Sequence, residues 1–173
     1  MQNKENNIAY IDAANLYHGA RSIRVALDYL RLRVWLKEKL GIQTAYLFIG
    51  LVSKNSNLYV MLQKAGYVLV FKETTVDGEG TPKGNCDADL VLRSVRDVFE
   101  TSYDKAVIVS SDGDYASLVQ FLIDKDKMRM VVSPSNKCSL LLRKTGVSIV
   151  FLRDIKTLVE SRDEKAPDAD GTA

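Results

Sequence analysis

Three short acidic motifs hold the residue types that chemistry needs: Asp12 with Asn15, Asp87 with Asp89, and Asp112 with Asp114. Each follows a run of strand-like apolar residues or opens a helical one. In an open α/β sheet, ligands bind at those points. Carboxylates gathered at one place repel one another unless a cation neutralises them, so the pattern points to a divalent-metal site.

The first motif is IDAANLY. Asp12 is expected to end a buried strand and ligate the metal, and Asn15 to serve the metal shell or a substrate phosphate. Either residue would equally suit a helix cap. The second motif is KGNCDADL. Two residues apart on a helix, Asp87 and Asp89 point in different directions. Asp87, at the helix start, is the ligand candidate, and Asp89 an outer partner or a first-turn acid. The third motif, VSSDGDYASLV, is the most specific. Gly113 permits a sharp turn that would aim Asp112 and Asp114 at one point. Ser111 is placed to donate a hydrogen bond to substrate, and Asp114 also reads as the cap of the following helix. Tyr17 and Tyr115 follow acidic motifs closely and suit either base stacking or half-buried packing.

The surrounding residues exclude several alternatives. Gly78, Gly80 and Gly84 miss the dinucleotide fingerprint by one residue, and no Gly-Lys-Ser/Thr ending makes a phosphate loop. That stretch reads as a flap, with Lys83 placed to reach a phosphate just before Asp87. The single histidine, His18, has no convincing partner and reads as solvated. Cys86 and Cys138 are far apart and lack zinc-ligand spacing, so both are expected to be reduced thiols of a cytoplasmic protein.

The elements that must position these motifs follow from the apolar pattern. Strands are expected at 8–12, 44–49, 67–71, 106–110, 129–133 and 148–152. Most are continuous apolar runs, the mark of strands covered on both faces. Helices are expected from Asp28 to Gly41, from a Ser53 cap to Gly66, from about Asp87 through Phe99, from about Asp114 through Leu122, and across 137–144. In the third of these the apolar face is read as Val91, Val95, Val98 and Phe99. In the second it is Leu58, Met61, Leu62 and Ala65. Strand–helix alternation of this kind implies a doubly wound α/β/α sandwich with a mainly parallel five- to six-stranded sheet. The irregular stretch 73–86 is long for a compact domain, which marks it as functional or mobile.

The 173 residues suffice for one domain with a full core. Residues 1–160 are expected to form it, with 161–173 as a charged flexible tail. A net charge of +2 announces no general nucleic-acid binder, so any basic surface must come from clustering. No apolar run reaches membrane-spanning length, and the polar start MQNKENN is not expected to be a signal peptide.

In their order and on a βαβ chain, IDAANLY, KGNCDADL and SSDGDYASLV resemble the NYN domain family, especially its LabA-like branch, within the PIN-like ribonuclease superfamily. The resemblance runs to about residue 160. It implies an acidic pocket for magnesium or manganese built from Asp12, Asp87, Asp112 and Asp114. Asn15 matches the asparagine of the first motif and Lys83 the lysine before the second. Ala13, Cys86 and Ser111 depart from the usual glycine, aliphatic residue and glycine, and none of these changes removes a carboxylate.

The function expected is metal-dependent hydrolysis of RNA phosphodiesters, single-stranded or structured. Asp12, Asp87 and Asp112 would be ligands, Asp114 would position water, and Asn15, Lys83 and Ser111 would contact substrate. The alternative is a non-catalytic RNA-binding module that keeps the fold and metal pocket. A phospho-acceptor receiver domain is disfavoured, because the third strand ends in Lys72 and Glu73 rather than in an acceptor Asp. The sequence leaves a homo-oligomer open.

Overall fold

A computed structural model describes residues 5–73, 75–76, 82–83 and 86–162, with no side chains across 73–85. The chain begins with β1 (Asn7–Asp12), α1 (Ala13–Ser22), α2 (Tyr29–Leu40) and β2 (Ile42–Leu51). A 3-10 turn (Ser53–Asn55) leads into α3 (Ser56–Lys64) and β3 (Val68–Glu73), and the short β4 (Thr75–Val76) and β5 (Pro82–Lys83) pair antiparallel. Then come α4 (Asp87–Glu100), β6 (Ala106–Val109), a 3-10 turn (Gly113–Tyr115), α5 (Ala116–Asp124) and β7 (Met128–Ser133). The described chain closes with α6 (Leu140–Lys144), β8 (Ile149–Phe151), a 3-10 turn (Leu152–Ile155) and α7 (Lys156–Val159).

All six expected strands join one parallel sheet, in the order β3-β2-β1-β6-β7-β8. Along each strand, successive side chains enter opposite cores. In β1, Ala9 and Ile11 face the side covered by α1, α2, α3 and α7, whereas Ile8 and Tyr10 face α4, α5 and α6. In β6, Val107 and Val109 take the first side and Ala106 and Ile108 the second. Burial on both faces is why these strands are apolar without alternation.

The chain builds outward from β1 to β3, then returns beside β1 to start β6 and builds outward the other way. This reversal makes β1/β6 the topological switch point, where a crevice opens beyond the carboxyl ends of the strands. The register Ile11↔Val109 brings Asp12 and Ser110 side by side at that edge.

Several expectations change in detail. Asp28 caps α2 by accepting from the Arg31 N–H at 3.0 Å, and Gly41 closes it at φ 65°. Ser53 is not a helix cap: it opens the 3-10 turn, and α3 starts at Ser56 with no side-chain cap. Leu62 faces inward as expected, whereas Met61 is exposed and Tyr59 is buried in its place. α1 has no counterpart among the expected helices. Its sequence AANLYHGARS is short, and its first turn is capped from β1 by Asp12 itself.

The inner face of α4 also differs from the reading of its apolar residues. Leu90, Ser94 and Asp97 are its buried positions, flanked by Val91, Val95 and Val98, while Phe99 is 70% exposed. Two polar side chains on a buried stripe disguise the helix's true face. Both are satisfied: Ser94 Oγ donates to the Leu90 carbonyl at 2.7 Å, and Asp97 accepts from Tyr10, Arg93 and Thr101. Tyr10 lies on β1, so this network ties α4 to the central strand.

Beyond α7, the Ser161 N–H still donates to the Ala26 carbonyl at 2.8 Å. The rest of the expected tail, 163–173, lies outside the described residues.

Candidate metal centre

β1 delivers Asp12, buried, to the switch point. Its Oδ1 accepts from the Asn15 N–H at 2.9 Å, so it caps α1. Its Oδ2 accepts from the Tyr115 hydroxyl at 3.2 Å. Burial is the main force raising its protonation tendency above the ordinary carboxylate range. The Asn15 hydrogen bond opposes that rise, and the charges of Asp87 and Asp112 add to it.

The third motif is shaped by a chain of short-range bonds. The buried Ser110 Oγ accepts from the Asp112 N–H at 3.1 Å, and Asp112 Oδ1 accepts from the Asp114 N–H at 3.1 Å. Asp112, not Asp114, is therefore the residue that caps the turn leading into α5. Gly113 is needed for space rather than for a left-handed backbone. A Cβ there would collide with Ser139 Oγ and meet Leu141 at 3.2 Å, because the start of α6 packs directly on this turn. The Ser139 N–H donates to the Ser111 carbonyl at 3.0 Å and holds that packing.

The first and third motifs are joined through Asn15. Its Oδ1 accepts from the Ser111 N–H at 2.8 Å and from Ser111 Oγ at 2.9 Å. A backbone N–H can only donate, so the amide oxygen must face Ser111 and Nδ2 is the donor end. Asn15 and Ser111 thus bind each other across the β1/β6 edge.

The second motif arrives on α4. Asp87 Oδ1 accepts from the Tyr115 hydroxyl at 2.5 Å. Asp87, Asp112 and Asp114 each bring one carboxylate oxygen to within 4.8 Å of the others. Oxygens around a magnesium, manganese or calcium ion, at about 2.0–2.6 Å from it, are separated by up to roughly 5 Å. The spacing and the hard oxygen donors both fit such an ion. Asp12 lies outside this group of three and joins it through Tyr115.

The structure thus brings Asp87, Asp112 and Asp114 together, seats Asp12 beside them, and ties Asn15 to Ser111. Asp89 turns away to pair with Lys72 at 3.7 Å, as its spacing from Asp87 requires. The Lys83 side chain lies outside the described residues. His18 is exposed, and the half-buried Tyr17 accepts from Arg21 at 2.8 Å through its hydroxyl. Cys86 and Cys138 are free. Burial first, then the Asp12 charge, pushes the Cys86 thiol up to about 11, so it stays protonated.

Tyr115 and Ser110 play parts at the site that the motifs did not reveal. Tyr115 is fully buried and has no face on which a base could stack. Its ring packs in the core with Leu118 and Leu142, and its hydroxyl bridges two motifs. Ser110 had a local signal: a serine two residues before an acidic turn commonly orders it. Nothing local marks the direction of Tyr115.

The NYN domain model matches residues 8–152. The chain is 24% identical over 170 residues to the "Low amplitude and bright protein LabA" of Synechococcus elongatus, covering 91% of this chain and 89% of that protein. A protein of unknown function from Vibrio parahaemolyticus, known from its crystal structure, shares the fold. The TM-score is 0.71 and the identity 19%, with 88% of this chain and 96% of that one covered. With its three motifs gathered at one switch point and the family model spanning most of its length, the chain belongs to the NYN domain family.

Proposed function

We propose that this NYN domain is a divalent-metal-dependent ribonuclease. The observation that carries the reading is the meeting of Asp87, Asp112 and Asp114 oxygens within 4.8 Å at the β1/β6 edge. These residues would hold magnesium or manganese, with Asp12 adding its charge directly or through water. Bound there, such an ion supplies water activation and neutralises charge on a phosphodiester.

The chain's own groups account for the remaining requirements. Asp114, the most exposed of the three, accepts a hydrogen bond from the attacking water and orients it. Asn15, fixed by Ser111, presents Nδ2 as a donor to a phosphate oxygen. Lys83 compensates the backbone charge of the RNA. Ser111 acts through Asn15, since its hydroxyl is committed to that amide. Among the described residues no helix is long and apolar enough to cross a membrane.

The test is end-labelled single-stranded RNA incubated with the protein and Mn2+. The reading expects shortened RNA with the parent chain, and intact RNA with Asp112→Asn or with EDTA. RNA that is bound yet never shortened would overturn catalysis in favour of a binding module.

A further inference from the structure

We propose that Tyr115 is a positioning residue of the acidic site, holding the Asp87 carboxylate in the orientation in which it meets Asp112 and Asp114. The inference rests on the reading of that site as a metal centre and adds the group that sets its geometry.

Tyr115 belongs to the third motif and touches the acids of the other two, Asp12 and Asp87. Its ring has no exposed surface. Its hydroxyl lies 2.5 Å from Asp87 Oδ1 and 3.2 Å from Asp12 Oδ2. A phenol carries one proton, and here its oxygen lies within hydrogen-bonding distance of two carboxylates, closer to Asp87. Packing alone would be met by phenylalanine, because the ring's neighbours Leu118, Leu142 and Val119 are apolar. The hydroxyl is therefore explained by its two acceptors and not by the core.

The three segments hold their acids in different ways. Asp12 is fixed at the end of the central strand and by its own cap bond to Asn15. Asp112 is fixed by its turn. Asp87 opens the first turn of α4, where Cys86 provides no side-chain cap. A carboxylate at a helix start has several staggered rotamers open to it. The buried hydroxyl favours the rotamer that accepts its hydrogen bond, and it references that rotamer to Asp12 on the sheet. Partners that orient a ligating carboxylate typically contribute about 10–100-fold to metal affinity.

The experiment compares Mn2+ affinity, by calorimetric titration of the full chain, between the parent and Tyr115→Phe. Metal-free melting curves of both proteins run alongside. The expected result is an apparent Kd raised about 10–100-fold, with a smaller Mn2+-induced rise in melting temperature. A merely structural hydroxyl would shift the metal-free melting temperature and leave the Kd of the folded protein unchanged; that outcome overturns the proposal while the metal centre stands. A parent chain that takes up no Mn2+ overturns the metal centre and this inference together. Should Tyr115→Phe fail to fold, 3-fluorotyrosine at position 115 keeps the packing and alters only the hydroxyl's donor strength. A changed Kd then supports the assignment and an unchanged one overturns it.

Discussion

Helix α4 carries two carboxylates in each half, and one from each half, Asp97 and Asp87, meet different neighbours. Asp97, deep on the inner face, is closed by its own protein: Arg93 Nε donates to both its oxygens at 2.9 Å, and Tyr10 and Thr101 donate at 3.0 and 3.2 Å. Arg93 in turn lies over the Tyr46 ring at 4.2 Å. Asp87, at the helix start, also has a tyrosine hydroxyl, but other carboxylates converge on it. A buried carboxylate with an internal cation is part of the structure. Carboxylates held together against their repulsion are a capacity to bind.

The largest expected effect breaks the second of these arrangements. Asp112→Asn should lower Mn2+-dependent RNA cleavage by at least about 100-fold, since even partners that only orient ligands cost 10–100-fold. The folded state should survive, because the asparagine oxygen can still accept from the Asp114 N–H.

Breaking the first arrangement should do the reverse. Asp97→Ala strands the Tyr10 hydroxyl and the half-exposed Arg93, and should cost about 2–3 kcal/mol, read as a lowered urea midpoint. The upper range for a fully buried pair is discounted because Arg93 reaches water. Mn2+ affinity of the molecules that remain folded should be unchanged.

Gly113→Ala sharpens the comparison at the turn itself. The added Cβ must displace Ser139 from the third motif, which should cost about 1–2 kcal/mol and weaken metal binding as well.

The smallest effect concerns Asp12 in metal-free protein. Burial raises its folded pKa above the unfolded value, so its contribution is present at low pH and is lost as pH rises through the folded value. Asp12→Asn keeps the helix cap and removes the charge. It should flatten the decline of melting temperature as pH rises from about 4.

These cases also show what the chain could reveal by itself. The strands were legible because a strand covered on both faces needs an apolar run, as in Ile8–Ile11 of β1 and all of β6. The acids were legible because their positions follow from strand ends and helix starts. What stayed hidden depends on contacts distant in sequence. Asn15 meets Ser111 across 96 residues, and Tyr115 meets Asp12 across 103. The inner face of α4 was misread because Asp97 and Ser94 are polar residues whose partners lie elsewhere in the fold or one turn back. The role of Gly113 was misassigned for a similar reason: Ser139, not the backbone angle, demands a glycine.

The most direct test of the account is calorimetric titration of Mn2+ into three proteins: the parent, the Asp87→Asn, Asp112→Asn double variant, and Asp97→Ala at a temperature where it remains folded. The account predicts saturable binding of equal affinity by the parent and Asp97→Ala, and none by the double variant. Parental affinity in the double variant would contradict it.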